Sequence, residues 1–177
     1  MIGNAVTQEP RVRGTTEADA GTVQLIAFTV GAETYGVEIT AVREIRAWSG
    51  VTTLPNTAPF VRGVINLRGT IVPVIDLRAR FSQGIADPGK THVVIVLAIG
   101  NRWAGVLVDA VSDILTVVRT DIHPVPDVTE GVDSGLLQGI VTHQDRMVSL
   151  VRIDRLLAEP ALRKPLAGSI TIDGVDI

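Results

Sequence analysis

From Thr22 onward the chain alternates short apolar runs with glycine- and proline-marked breaks, and the runs are too short for helices. Val23 to Phe28 reads as a strand, Gly31 with its polar neighbours as a hairpin turn, and Tyr35 to Ile39 as the return strand. Thr40 to Ile45 reads as a helical turn before an extended stretch through Trp48. Pro55, Asn56 and Pro59 then break the chain. Gly63 to Leu67 and Thr70 to Leu77 read as a second hairpin turning at Arg68-Gly69. Pro73 has no N–H to donate, so its strand is expected at a sheet edge or with a bulge there. Gln83 to Lys90, with Gly84, Pro88 and Gly89, is the expected internal boundary.

Beyond that boundary the order begins again. Thr91 to Ile99 is a strand, Gly100-Asn101-Arg102 a turn and Trp103 to Val108 the return. A loop rich in proline and glycine runs from Pro124 to Gly135. Leu136 to Thr142 and Met147 to Ile153 form a further hairpin, and Ile153 to Glu159 a short helix stopped by Pro160. A shift of 69 lays Ile26–Ile45 over Ile95–Ile114 with seven of twenty residues identical, Gly31 on Gly100 and Gly36 on Gly105 among them. A shift of 76 lays Gly63–Leu77 over Gly139–Ile153. Matched glycines mark shared backbone geometry rather than shared composition, so the pattern points to an internal duplication. The expected fold is mainly β, with short helices and two similar barrels. The divisions are a flexible leader over 1–21, a domain over 22–158 split near 22–85 and 90–158, and a tail over 159–177 whose last ten residues are extended.

Composition supports this reading. Valine and isoleucine supply 26 and 17 of 177 residues, and β-branched side chains suit a pleated sheet. Net charge is −3 and only six residues are aromatic, which gives neither a basic footprint for phosphate nor a stacking platform for bases. No nucleic-acid partner is expected. Cysteine is absent, which excludes disulfides, thiolate nucleophiles and thiolate metal sites. Residues 1–21 lack the apolar core of a secretory signal, and the longest apolar run, Val93 to Ile99, is too short to span a bilayer. A cytoplasmic protein with no direct membrane insertion is expected.

Candidate chemistry is sparse. His92, His123 and His143 have no metal-ligand spacing, and no nucleophile elbow, Walker A loop or GxGxxG turn occurs. Asp76 and Asp109 stand in apolar strands, where structural pairing to Arg78 or Arg102 is the favoured reading. The duplication is informative where it fails. Asn66-Leu67-Arg68-Gly69 in the first half faces Thr142-His143-Gln144-Asp145 in the second. If a structural turn needs similar residues in both halves, Arg68 is a candidate for a role beyond folding, the alternative being an ordinary solvated hairpin arginine. No catalytic group, cofactor or metal is expected.

Tyr35-Gly36-Val37-Glu38-Ile39 with Val42-Arg43-Glu44-Ile45 resembles the CheW family of bacterial chemotaxis adaptors. So does the run from Gly63 through Asn66-Leu67-Arg68-Gly69 to Pro73-Val74-Ile75-Asp76-Leu77-Arg78, and so does Gly105 to Leu115. The resemblance covers about residues 22–158. It implies two five-stranded SH3-like barrels with a hydrophobic groove between them. It also implies a non-enzymatic scaffold coupling the cytoplasmic tips of methyl-accepting chemotaxis receptors to the CheW-like regulatory domain of the histidine kinase CheA. The protein would be recruited from the cytoplasm to membrane-associated arrays. The implied receptor-binding positions are Val42, Glu44, Gly63, Asn66, Arg68, Gly69, Val94 and Val111. Two alternatives remain at this stage: the same scaffold in a non-flagellar pathway such as pilus motility, and, less favoured, a small-ligand-binding barrel.

Overall fold

A computed structural model describes residues 21–126 and 134–162. The expectations for the leader, most of the Pro124–Gly135 loop and the extended tail lie outside the described residues. The first half supplies strands β1 (Thr22–Val30), β2 (Glu33–Glu38), β3 (Val42–Ala47), β4 (Val61–Leu67) and β5 (Thr70–Asp76), followed by helix α1 (Leu77–Arg80). The second supplies β6 (Val93–Ile99), β7 (Arg102–Val108), β8 (Ala110–Val118), β9 (Leu137–His143) and β10 (Arg146–Val151), followed by α2 (Ile153–Leu157). A 3-10 turn at Ile39–Ala41 precedes β3. The helical reading of Thr40–Ile45 is therefore corrected: the turn is over by Val42, where the chain extends to pair with β6.

The strands form two five-stranded sheets, ordered β8-β1-β2-β10-β9 and β3-β6-β7-β5-β4. Exchanging each first-half strand for its counterpart turns one order into the other. The registers agree as well. Ile26 pairs with Val37 as Ile95 pairs with Val106. Val42 pairs with Leu97 as Val111 pairs with Phe28, and both ladders shift register one residue further on. Val64 pairs with Pro73 as Ile140 pairs with Ser149. Chance resemblance between valine-rich hairpins would not reproduce bulges at matched positions.

The sheets do not follow the division at 22–85 and 90–158. Each takes the opening hairpin of one half and the last three strands of the other. The reason lies in the short crossovers: the 3-10 turn at Ile39–Ala41 carries the chain out of one sheet, and Asp109 carries it back from β7 to β8. Pro73 is also corrected. Strand β5 is internal, lying between β7 and β4, and the ladder shifts at Val61/Gly63 rather than at the proline. The parallel pairing to β7 covers only Val74–Asp76, so the missing N–H falls just outside it.

Alternation along the central strands serves two cores at once. On β1, Val23, Leu25 and Ala27 face a small core with Leu115, Val117 and Val148, while Ile26, Phe28 and Val30 face a larger one. On β6, Val94 and Val96 join Val72, Val74 and Leu107, while Ile95 and Leu97 join the same large core. That large core lies between the sheets, with Leu77, Phe81 and Leu156 from the helical segments plugging it. Burial on both faces explains why Val93 to Ile99 is apolar without interruption.

Candidate functional site

The hairpin between β4 and β5 turns on two residues with positive φ, Arg68 at 51° and Gly69 at 87°. This is the type I′ geometry whose twist matches paired strands. The Asn66 side chain accepts a 2.8 Å hydrogen bond from the Gly69 N–H and fixes the turn from within. Between β9 and β10 the turn is made by Gln144 at 48° and Asp145 at 61°. The premise that such a turn needs like residues is thus corrected: the backbone is common to both halves and only the chemistry differs. Arg68 is therefore a choice of side chain rather than a requirement of the turn.

That side chain reaches across to β3, where its guanidinium donates to the Glu44 carboxylate at 2.6 Å. Arg68 is 79% exposed and Glu44 29%. A pair so wet contributes at most about 1 kcal/mol to stability. Its effect is to hold a guanidinium upright beside a carboxylate at the mouth of the sheet. Glu44 is in place because the β3 ladder shifts between Val42 and Glu44.

Gly63 shapes the same hairpin from behind. Its φ is +149°, and a Cβ there would stand 2.2 Å from the Thr52 carbonyl oxygen. The close approach lets Thr52 and Val64 exchange two backbone hydrogen bonds of 2.9 and 2.8 Å. Gly139 does the same for His123 and Ile140 in the second half, with its Cβ position 2.7 Å from the His123 oxygen. A glycine thus serves the backbone at this position in both repeats, Gly63 in the first and Gly139 in the second. Val42 and Val111 are partly buried, at equivalent places on β3 and β8, and both pack against the core between the sheets.

Val94 is a correction. It is 2% exposed, inside the core of the sheet formed by β3 to β7, with its methyl over Gly105. Alternation puts it on the inner face, out of reach of a partner. The structure therefore gathers Glu44, Asn66, Arg68 and Gly69 at one hairpin mouth, sets Gly63 behind it and Val42 at the head of β3, and leaves Val111 on the other sheet.

Asp109 pairs with Arg78 at 2.7 Å, as expected from sequence. It also accepts the Gly31 N–H at 2.8 Å and lies 3.4 Å from His92 Nε2, tying the β1–β2 turn to α1. Asp76 does not pair with Arg78 or Arg102. Fully buried, it caps α1 through Ala79 N–H and accepts the Ala86 N–H at 2.8 Å, with Arg62 3.7 Å away. Burial pushes the Tyr35 hydroxyl above the ordinary phenol range, against a lowering hydrogen bond from Gln83 and with a further push from Glu33. Sequence reasoning passed over Arg46, which lies on β3 with its side chain lining a hollow beside Asn66. Period-two alternation from Glu44 could have found it. Among the described residues no helix is long and apolar enough to cross a membrane.

Two sheets of matched topology over a shared core, with an exposed charged hairpin at one mouth, define a duplicated SH3-like domain of the protein-docking class. Residues 24–161 match the CheW-like domain. The chain is 45% identical over 131 residues to the chemotaxis protein CheW of Rhizobium meliloti, covering 74% of this chain and 84% of that one. It is 42% identical over 139 residues to the probable chemotaxis protein CheW of Rhizobium etli, covering 78% and 90%. The crystal structure of the scaffolding protein TtCheW from Thermoanaerobacter tengcongensis superposes with a TM-score of 0.69 at 34% identity, covering 74% of this chain and 84% of that one. The chain belongs to the CheW-like domain family, a family of adaptors.

Proposed function

We propose that the protein is a non-catalytic chemotaxis scaffold that holds the cytoplasmic tips of methyl-accepting receptors together with the CheW-like regulatory domain of a CheA-type kinase. The observation that carries this reading is the asymmetry of the two hairpins. The same turn is built twice, yet among the described residues only the first presents an arginine braced by a carboxylate, Glu44 on β3. A guanidinium offers five donors and desolvates more readily than an ammonium, which suits an interface.

The receptor side comprises Glu44, Asn66, Arg68 and Gly69 as surface, Gly63 as the backbone support, and Val42 with Val111 as apolar positions toward the groove. An amphipathic receptor helix needs an apolar floor with a few charges to fix its register. The kinase domain takes a different surface. Binding both partners raises their effective concentration, and no bond is made or broken. The protein works in the cytoplasm and is recruited to receptor arrays. Its working unit is the whole of residues 22–158, because the two sheets exchange strands.

The test is binding of Arg68→Ala to a receptor-tip fragment and, separately, to the kinase regulatory domain, both from the same organism. Loss of a hot-spot side chain predicts about 30-fold weaker receptor binding. Kinase binding should stay within about twofold of wild type. Equal loss toward both partners, or toward neither, would refute the assignment.

A further inference from the structure

Arg46 occupies a position that the other half of the molecule uses for its core. On β3 it pairs with Val94, and its counterpart on β8, Leu115, pairs with Leu25. Leu115 is 6% exposed and packs in the small core of its sheet. In the first half a guanidinium takes that place at the edge of the equivalent core. It is partly buried, yet no hydrogen bond or ion pair engages it among the described residues. Its nitrogens stay open at the surface rather than being spent within the chain, whereas a leucine there would bury more apolar area.

The side chain lines a hollow of about 380 Å³ together with Ser49, Thr52, Val64 and Asn66. Asn66 spends its oxygen on the Gly69 N–H, so its amide N–H groups are the part left to meet a ligand. Ser and Thr hydroxyls add donors, and no carboxylate is in the lining. The hollow adjoins the hairpin that carries Arg68, through Asn66.

We infer that the Arg46 hollow is a carboxylate-binding site that receives an aspartate or glutamate side chain of the receptor segment docked on the Arg68 hairpin. The inference rests on the docking reading above and adds a second anchor to it. Donors without a competing acid select an anion, and planar guanidinium geometry matches a carboxylate in two-point contact. Fixing two acidic contacts, one at Arg68 and one at Arg46, would set the register of a helix along β3.

Arg46→Leu restores the residue type of the second half, and Arg46→Gln removes the charge with less change of shape. Binding of each to the receptor-tip fragment is measured by calorimetry beside Arg68→Ala, with melting temperatures. Both Arg46 variants should bind at least about tenfold more weakly. Arg46→Leu should melt no lower than wild type. Arg46→Glu should regain affinity when one acidic residue of the fragment is replaced by lysine. Wild-type affinity in Arg46→Leu, while Arg68→Ala is weakened, overturns the inference and leaves the docking reading standing. Loss of affinity only in step with a lower melting temperature in both neutral variants overturns it too. A fragment that binds wild type no better than Arg68→Ala overturns the docking reading, and the inference with it.

Discussion

Replacing Gly63 with alanine separates a backbone role from a contact role at a position on the Arg68 hairpin. A Cβ at Gly63 would stand 2.2 Å from the Thr52 oxygen, 2.8 Å from its carbonyl carbon and 3.1 Å from Thr53 Cα, all backbone atoms. No rotamer change relieves such a contact, so the segment carrying Thr52 must move away from β4. That motion breaks the two hydrogen bonds of 2.9 and 2.8 Å between Thr52 and Val64. Each is worth about 1 kcal/mol net. A side chain at φ +149° adds strain, typically about 1–3 kcal/mol. The expected loss is roughly 3–5 kcal/mol, a large share of a stability of about 5–15 kcal/mol. At about 2–4 °C per kcal/mol, the melting temperature falls by roughly 6–20 °C. Gly69→Ala is the control, since its φ is +87° but nothing lies within 4 Å of its Cβ position. It should cost only about 1 kcal/mol. Calorimetric melts of both variants decide the matter. If Gly63→Ala melts within about 3 °C of Gly69→Ala, the close approach does not hold the hairpin in place.

Gly139→Ala should repeat the loss in the second half, because its Cβ position is 2.7 Å from the His123 oxygen; a neutral melt would break the claimed equivalence of the repeats. Val94→Ala should lower stability by about 2 kcal/mol as a core deletion without a specific loss of receptor affinity, and a binding defect at unchanged melting temperature would return Val94 to the interface. Tyr35 should make stability fall at alkaline pH: its folded-state pKa is raised above the ordinary 10.0, so the unfolded chain ionises first and stability present below about pH 10 is lost above it. Tyr35→Phe should flatten that limb, and an unchanged limb would assign it to other groups. Chains cut between Gly84 and Gly89 into two halves should fold only when mixed, since each sheet needs strands from both; a cooperative melt from either half alone would contradict the exchange.

The hairpin at 63–77 was legible in the sequence because its signals are local: a glycine at the bulge, Arg68-Gly69 at the turn and alternation on either side. The duplication was legible for the same reason, since matched glycines recur at the same close approaches. The exchange of strands was not. Pairings such as Thr22 with Val118 and Gly36 with Leu150 join distant segments, and the crossovers that direct them are short stretches without a distinctive pattern. The register shift at Glu44 had a similar effect on the site. It sets which β3 side chains face inward, and so which of Arg46 and Glu44 a partner can reach.

A scaffold that bridges receptor and kinase must bind both at once. Sedimentation velocity of the protein with saturating receptor-tip fragment and saturating kinase regulatory domain measures it in one experiment. A ternary species should form with wild type, and Arg68→Ala should shift most of it to a binary complex with the kinase domain. Displacement of one partner by the other, with only binary complexes at every ratio, would contradict bridging through separate surfaces.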